Sequence, residues 1–386
     1  MIYQNIIGDK EVNLHQKSLN KDEQFIVRCF DLAKKALGYT SPNPIVGAVI
    51  VVPELNYKII GEGYHTAYGK PHAEVEAINN AIKRGYKNLL KKSVLYVNLE
   101  PCCHYGKTPP CVDKIIEVGI KKVVCAMYDV NPIVRKKGIK KLLDAGVDCK
   151  VGVLEKEAKE LNKFYIKWMT KKLPYVTLKV ASSLDGKIAT YTGDSKWITS
   201  QQARKYVYKL RTIYDAVMVG INTIVVDNPR LTSHQNGRNP VRVVVGDVSK
   251  LSVKKKYNIF SNDAKTLIFT KKNKNIKFFE KFENVKIYSY DTKLIPFNLI
   301  LSVLAKEHNI SSVLVEGGGE TIWNLIKEKM VDDMIIFFAP KIVGGKDAKT
   351  WVEGDGVKYI KDAYNIDIYN IEFLGKDLVL NAKMKY

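Results

Sequence analysis

The chain has 386 residues, 46% of them hydrophobic and 26% charged, which is the balance of an ordinary folded protein and excludes a disordered or fibrous one. The formal net charge is +22, but lysines far outnumber arginines and are scattered through both halves, which argues against a dedicated nucleic-acid surface. No apolar run is long enough to cross a membrane, and the N-terminal stretch lacks the apolar core of a signal peptide. We therefore expect a cytoplasmic protein of about two domains, with neither nucleic acid nor membrane as a partner.

The first 22 residues are polar and rich in lysine and asparagine, and we interpret residues 1–22 as an N-terminal arm. From residue 23 onward, helical and strand patterns alternate. The sequence predicts helices over 23–37, 71–84, 111–119, 131–145 and 155–170, and strands over 46–52, 57–65, 94–101 and 121–129. This alternation predicts an α/β domain over residues 23–170, with a largely parallel sheet between layers of helices.

A domain boundary is expected at 170–174, because Pro174 ends the last of these helices and no cysteine follows Cys149. The second domain, residues 174–386, is again α/β. Strands are predicted over 175–182, 216–220, 241–246, 266–270, 285–290, 312–317 and 334–340, and helices over 200–212, 297–308 and 320–329.

Two segments of the first domain carry metal chemistry. One is His72-Ala73-Glu74 at the start of a predicted helix, and the other is Pro101-Cys102 with Cys111 nine residues later. One imidazole and two thiolates can hold zinc and leave a fourth position open for water, which is the arrangement of a catalytic site. Glu74 is placed to shuttle a proton to the leaving group. A His-x-Glu segment followed by Pro-Cys is typical of zinc deaminases, in which the glutamate is not a ligand.

Eight residues separate Cys102 from Cys111, whereas deaminases of nucleic acids and free nucleotides usually have Cys-x-x-Cys. Together with the SPNP segment at 41–44 and the GEGYH segment at 61–65, this spacing resembles the deaminase half of the bifunctional riboflavin biosynthesis deaminase/reductase family. The resemblance implies a cytidine-deaminase-like α/β/α sandwich that hydrolyses a ring amino group from 2,5-diamino-6-ribosylamino-4(3H)-pyrimidinone 5′-phosphate. It also implies pocket positions at Asn43, His65 and Lys107. Cys103 stands where a serine is expected, and it could compete for the metal.

The second domain lacks Gly-x-Gly-x-x-Gly after its first strand, so a plain dinucleotide-binding fold is not expected. It carries instead the segments SLDGKIA at 183–189, GDSKWIT at 193–199 and VEGGGET at 315–321. This set resembles the reductase half of the same family. The resemblance implies a dihydrofolate-reductase-like α/β domain that reduces the ribosyl group to ribityl with NADPH.

Site residues of this second half follow from the resemblance by position. The NADPH contacts fall on Ala181, Trp197, Thr223, Asp227, Gly318, Gly319, Glu320 and Thr321. The substrate contacts fall on Lys179, Ser195, Arg211, Leu231, His234 and Glu316.

The substrate contacts include one departure from the family. Arg211 is expected to bind the 5′-phosphate bidentately. A second phosphate-binding arginine is expected where His234 stands, so a protonated His234, Arg230 or Arg238 are the alternatives for that role. Lys179 and Glu316 are the titratable candidates for acid–base help. The resemblance further implies a homo-oligomer.

Two other functions are compatible with parts of the sequence. One is a nucleic-acid or nucleotide deaminase whose basic second half binds the polymer, which the scattered lysines and the long spacing between cysteines disfavour. The other is a zinc-stabilised binding module without activity, which requires four protein ligands on the metal.

Overall fold

The computed structural model describes residues 19–106, 109–273, 275–292 and 294–386, and these residues divide into two compact units, 19–172 and 173–386. Most of the predicted N-terminal arm, residues 1–18, lies outside the described residues. The first described helix begins at Lys21, two residues before the predicted start of the domain. Within the described residues, no helix is both long and apolar enough to cross a membrane.

The described part of the first unit has six α-helices and five strands. The helices are α1 (Lys21–Lys34), α2 (Ala73–Lys83), α3 (Cys111–Glu117), α4 (Lys137–Asp144), α5 (Glu155–Leu161) and α6 (Lys163–Lys171). The strands are β1 (Gly47–Val52), β2 (Lys58–Tyr64), β3 (Val94–Val97), β4 (Lys122–Cys125) and β5 (Asp148–Val151).

These strands form one sheet in the order β2-β1-β3-β4-β5. β1 is antiparallel to both β2 and β3, whereas β3, β4 and β5 are parallel. The prediction of a largely parallel sheet is therefore wrong for this unit. The connection between β1 and β2 is too short for the crossover that parallel strands need, so these two strands form a hairpin.

Helices cover both faces of this sheet. A Cβ at Gly63 of β2 would collide with the main chain of Ala77 in α2, and a Cβ at Gly47 of β1 would collide with the carbonyl of Cys29 in α1. Gly63 pairs with Ala48, the neighbour of Gly47, so the two glycines face opposite sides of the sheet. The helices α1 and α2 thus pack on opposite faces, as the sandwich prediction requires.

Two helix predictions were wrong in their extent. The helix predicted over 131–145 begins only at Lys137, because the side chains of Asp129 and Asn131 accept hydrogen bonds from the main chain that follows them and hold a turn. The helix predicted over 155–170 is two helices that break at Asn162. The side-chain amide of Asn162 bonds both main-chain groups of Ile45, at 2.9 and 3.1 Å, and so joins the start of β1 to this break.

The described part of the second unit has five α-helices and nine strands. The helices are α7 (Gln201–Ile213), α8 (Ile221–Asp227), α9 (Ile276–Phe279), α10 (Phe297–His308) and α11 (Gly319–Lys327). The strands are β6 (Tyr175–Ser183), β7 (Ala216–Gly220), β8 (Val241–Val245), β9 (Thr266–Lys271), β10 (Val285–Tyr290), β11 (Ser312–Val315), β12 (Asp333–Ala339), β13 (Asn365–Leu374) and β14 (Asp377–Lys385).

These strands form one sheet in the order β10-β9-β8-β7-β11-β6-β12-β14-β13. Every pair from β10 to β12 is parallel, and the hairpin of β13 and β14 adds an antiparallel edge. Buried aliphatic residues of the parallel strands and of α10 and α11 form the core. In this unit the sequence analysis missed α8, α9, β13 and β14. A bulge between Ile368 and Asn370 resets the alternation of β13, which explains why its pattern is weak.

Candidate active sites

Three side chains of the first unit converge as the sequence predicts. His72 directly precedes α2, Cys102 lies in the loop after β3, and Cys111 is the first residue of α3. The Nδ1 atom of His72 lies 3.4 Å from Sγ of Cys102 and 3.3 Å from Sγ of Cys111. The three potential ligand atoms, one each from His72, Cys102 and Cys111, all lie within 4.8 Å of one another. We call this set the ligand cluster.

The donor set of the ligand cluster fits zinc. One imidazole nitrogen and two thiolate sulfurs are the ligands that tetrahedral zinc takes, and three protein ligands leave one position open. A hydrogen bond from the Cys111 thiol, and a second from His72, lower the pKa of Cys102, which favours the thiolate that a metal ligand needs. The main-chain N–H of Cys111 also donates to this sulfur at 3.3 Å.

Glu74 lies in the first turn of α2, beside the ligand cluster. Its side chain is buried, with 3% of the residue exposed, and it shares a hydrogen bond with Cys111. Burial, with the neighbouring Cys102 charge, raises the pKa of Glu74 to about 7. The carboxyl group therefore lies against the ligand cluster and is not itself part of it.

Asn43 and His65 form a second polar pair next to the ligand cluster. The Nδ2 atom of Asn43 lies 3.2 Å from Nε2 of His65, and Nδ1 of His65 lies 3.1 Å from the carbonyl oxygen of Pro71. This arrangement requires a neutral ring that donates from Nδ1 and accepts at Nε2, and burial lowers the pKa of His65 accordingly. The rings of His65 and His72 meet edge to face at 5.2 Å. Lys107 lies outside the described residues.

Cys103 is not part of the ligand cluster. Its sulfur lies 3.9 Å from the carbonyl oxygen of Ile133. Burial and the nearby carboxylate of Glu100 raise the pKa of Cys103, which keeps it a thiol while Cys102 is a thiolate. Of the two neighbouring cysteines, Cys102 is therefore the one that lies in the ligand cluster.

The second unit contains a cavity of about 500 Å³, which we call the cofactor cavity. It lies beside the carboxyl ends of β7 and β8 and the amino ends of α8 and α11. Of the predicted NADPH contacts, it is lined by Thr223, Asp227, Gly318, Gly319, Glu320 and Thr321. Ser195, predicted to touch the substrate, also lines the cavity and shares a hydrogen bond with Asp227.

The glycine-rich turn before α11 fits a phosphate-bearing cofactor. Gly317 and Gly318 have φ values of 130° and 86°, which side-chain-bearing residues rarely adopt. The turn brings the first N–H groups of the nine-residue helix α11 to the cavity wall, where they can meet a phosphate.

Two predicted NADPH contacts lie elsewhere. The Trp197 side chain is 60% exposed and stacks under the guanidinium of Arg204 at 4.4 Å, and Ala181 on β6 is not in the cavity wall. The sequence analysis missed other residues that line the cavity, namely Asn222, Gly246, Asp247, Lys250, Lys271 and Asn324. Their position after successive parallel strands is the signal that could have found them, because ligands bind at the carboxyl ends of such strands.

The predicted substrate residues of the second unit include a buried ion triad. Arg211 donates to both carboxylate oxygens of Glu316, from Nε at 2.6 Å and from Nη2 at 2.8 Å. Lys179 lies 3.4 Å from the same carboxylate. Burial alone would raise the pKa of Glu316, but the positive charges of Arg211 and Lys179 hold it at about 2. The bidentate face of Arg211, which we expected to bind a phosphate, is therefore occupied by Glu316.

His234 and its possible substitutes have different surroundings. The His234 ring stacks on Tyr208 at 4.0 Å, and burial with the charges of Arg211 and Arg230 lowers its pKa, so the ring is neutral at neutral pH. Arg238 donates to Asp215 at 2.9 Å and to two main-chain carbonyls, so its guanidinium is already committed. Arg230 is exposed, and Leu231 beside it is buried with a φ of 54°.

Comparisons with known proteins cover both units. A family model of the cytidine and deoxycytidylate deaminase zinc-binding region matches residues 19–127, and a model of the RibD C-terminal domain matches residues 174–380. The riboflavin biosynthesis protein RibD of Aquifex aeolicus is 42% identical over 94% of this chain and 98% of its own, and that of Bacillus amyloliquefaciens is 41% identical over 94% and 96%.

A solved structure is similar over the same span. The deaminase/reductase of Thermotoga maritima, named for diaminohydroxyphosphoribosylaminopyrimidine deamination and 5-amino-6-(5-phosphoribosylamino)uracil reduction, shares 39% identity with this chain. It matches with a TM-score of 0.83 over 94% of this chain and 99% of that one.

Proposed function

This chain belongs to the RibD family of bifunctional riboflavin biosynthesis enzymes, with a zinc-binding deaminase domain before a reductase domain, and on that premise we propose its substrates and the role of each site residue. The substrate of the first domain is 2,5-diamino-6-ribosylamino-4(3H)-pyrimidinone 5′-phosphate. The product of the second is 5-amino-6-(5-phospho-ribitylamino)uracil. The observation that carries this proposal is the ligand cluster with the buried Glu74 beside it.

In the deaminase, His72, Cys102 and Cys111 would hold the metal. Zinc bound there supplies a water molecule of lowered pKa as the nucleophile. Glu74 would take a proton from the attacking water on its carboxylate and return it to the departing amine, so that ammonia leaves as the ring carbon gains oxygen. Asn43 and His65 lie beside the cluster and bind the edge of the ring, and Lys107 binds a phosphate or ribose oxygen.

In the reductase, NADPH bound in the cofactor cavity would supply a hydride for C1′ of the sugar, with cleavage of the C1′–O4′ bond and protonation of O4′. Ser195 and Asp227, which share a hydrogen bond, line this cavity. Glu316 stays ionised next to Arg211 and Lys179 and cannot donate a proton. Of the two titratable candidates, Lys179 therefore remains as the proton donor.

The phosphate of the second substrate needs a positive partner other than neutral His234. Arg238 is committed to Asp215, and Arg211 to Glu316. Arg230 is exposed, and its charge acts on His234. We assign the second phosphate contact to Arg230. Arg211 then binds the phosphate through the guanidinium N–H groups that do not donate to Glu316 or Thr232.

The outer strand of the second unit supports a homo-oligomer. Edge strand β13 exposes the apolar residues Ile366, Ile368, Ile371 and Phe373, at 39 to 76% of their surfaces. An edge strand with a row of exposed apolar side chains is an association surface. A second copy of this chain is the proposed occupant, and light scattering during size-exclusion chromatography tests it.

A cytoplasmic location is supported by the cysteines. None of the six forms a disulfide. Two of them, Cys102 and Cys111, are proposed metal ligands and must stay reduced to bind zinc.

The direct test is a coupled assay on the purified chain with the diaminopyrimidine ribosyl phosphate, following ammonia and NADPH absorbance separately. Ammonia release that a chelator abolishes, and NADPH oxidation that requires prior deamination, is the expected result. Ammonia without NADPH oxidation would contradict the reductase assignment. Neither signal, with tight and salt-sensitive tRNA binding, would favour the nucleic-acid deaminase instead.

A further inference from the structure

Glu100 is a buried acidic residue that the deamination chemistry leaves without a role. It stands two residues before the ligand Cys102, and 3% of it is exposed. Its main-chain N–H donates to the carbonyl of Met127 at 3.0 Å, which ties the end of β3 to the end of β4. A carboxylate in such a place is costly unless its oxygens accept hydrogen bonds.

Three main-chain N–H groups of one later segment supply those hydrogen bonds. The Oε2 atom of Glu100 accepts from the N–H groups of Asp129 at 3.1 Å and Lys136 at 3.0 Å, and Oε1 accepts from Ile139 at 3.1 Å. The donors span the turn that replaces the predicted helix start and the first turn of α4. Hydrogen bonds to an ionised acceptor are the strong ones, so one carboxylate fixes both ends of residues 129–139.

The same segment touches the peptide that carries the metal ligand. A Cβ at Gly138 would collide with the carbonyl oxygen of Pro101 and lie 3.3 Å from Oε1 of Glu100. From α3, the N–H of Val112 donates to the carbonyl of Cys102 at 3.2 Å. The Pro101–Cys102 peptide is therefore held by α4 through Glu100 and Gly138, and by α3 directly.

We propose that Glu100 is a positioning residue for zinc, which sets the direction of the Cys102 thiolate towards His72 and Cys111. This inference rests on the proposed deaminase function. The charge is satisfied by main-chain N–H groups, and among the described residues no ion pair involves Glu100. Glutamine cannot replace it, because its amide N–H₂ would face at least one of these N–H donors.

The test compares the full-length chain with Glu100→Gln, using Glu62→Gln as a matched control in the same domain. Glu62 also accepts charged hydrogen bonds, from Arg28 at 2.6 and 3.1 Å, but it lies on β2, outside the metal loops. Zinc affinity is measured by competition with a chromophoric chelator. We expect Glu100→Gln to bind zinc about 10- to 100-fold more weakly, as for other residues that orient metal ligands, and Glu62→Gln to match the wild type.

A spectroscopic readout separates positioning from stability. With Co²⁺ in place of zinc, the thiolate-to-metal absorption bands should shift or weaken in Glu100→Gln. NADPH oxidation by the second domain, measured with the deaminated substrate supplied directly, should not change. If Glu100→Gln does not fold, Gly138→Ala perturbs the same contact from α4, and we expect the same weakening of zinc binding.

Unchanged zinc affinity and unchanged cobalt bands in Glu100→Gln, or in Gly138→Ala where Glu100→Gln does not fold, would overturn the inference while leaving the deaminase intact. A wild-type chain that binds no zinc would overturn the proposed deaminase function and, with it, the role of Glu100.

Discussion

The two units each contain a buried charge that is satisfied mainly by the main chain, and the two charges have opposite sign. In the deaminase unit, Glu100 accepts from three N–H groups. In the reductase unit, Arg242 is fully buried and donates to the carbonyl oxygens of Arg230, Ile259, Ser261 and Ala264. Asp263, the acidic side chain nearest to Arg242, is 3.8 Å away and half exposed.

The difference lies in what each charge organises. Glu100 acts two residues from a metal ligand, where the geometry of three donor atoms within 4.8 Å sets the chemistry. Arg242 fixes the segment before Leu231 and a loop at 258–264, in a unit whose candidate site includes a cavity of about 500 Å³. A metal site concentrates its function in a few atoms, whereas a cofactor site spreads it over many contacts. Substitution of a ligand or of Glu74 should therefore abolish the function of the metal site, whereas substitution of one residue that lines the cofactor cavity should have a smaller effect.

The largest expected effect is that of Glu74→Gln on the deaminase. The amide cannot carry the proton from water to the amine, so ammonia release should fall by about 10²- to 10⁴-fold while zinc stays bound. Glu76→Gln, on the same helix, is the control and should keep its activity. Ammonia release and zinc content are measured together, and full turnover in Glu74→Gln would refute the role of Glu74.

The next effect concerns the ion triad of the reductase. Glu316→Gln leaves Arg211 and Lys179 buried without their counter-charge, so the second unit should lose about 3–5 kcal/mol of its free energy of unfolding, measured with urea. NADPH oxidation should be lost and ammonia release retained. Glu307→Gln, which breaks an exposed and solvent-screened ion pair, should leave the unfolding midpoint close to that of the wild type. Equal unfolding midpoints for the two variants would contradict the prediction.

The same triad predicts a pH dependence. Because the folded pKa of Glu316 is about 2, below the ordinary 4.5, its stabilising contribution is complete above pH 4.5 and is lost as the pH falls from 4.5 towards 2. Urea titrations of the wild type between pH 6 and 3 should show this loss, and Glu316→Gln should show a smaller slope. Parallel slopes would mean that Glu316 is not the titrating group.

A smaller effect is expected for Arg242→Met, which leaves buried carbonyls without a donor. It should destabilise the second unit by about 3 kcal/mol and raise the KM of the reductase substrate, since the Arg230–Leu231 segment loses its anchor. The partly exposed Arg28, whose side chain pairs with Glu62, supplies the control variant Arg28→Met. Unfolding followed by fluorescence measures the stability. An unaltered KM would show that the Arg230 carbonyl contact is not needed for substrate binding.

The smallest effect is that of His234→Arg on phosphate binding. His234 has a lowered pKa and is neutral at pH 7.5, so an arginine should lower the KM of the phosphorylated substrate by about tenfold, the effect of roughly 1.4 kcal/mol. As the pH falls through this pKa, His234 gains a charge, so the ratio of wild-type to variant KM should fall towards one. A ratio that does not change with pH would exclude His234 from the phosphate site.

The sequence by itself determined the ligand cluster and Glu74, because zinc accepts few residue types and their spacing is conspicuous. It also determined the order of most helices and strands, since burial imposes its periodicity on the chain. The family resemblance gave the zinc and NADPH cofactors, which the comparisons confirm.

Only the tertiary structure decided how the remaining polar side chains are used. The guanidinium of Arg211 has the right chemistry to bind a phosphate. Its paired N–H groups instead donate to the carboxylate of Glu316, which lies 105 residues later in the chain. In the sequence, Glu100 and Arg242 are indistinguishable from ordinary charged residues. Their partners are main-chain groups, which are the same in every sequence, so no side-chain pattern indicates the contacts. The helix predicted at 131 fails for a different, local reason, since Asp129 and Asn131 accept hydrogen bonds from N–H groups two residues further on and hold a turn there. Partners distant in sequence leave no local pattern, so packing alone selects them.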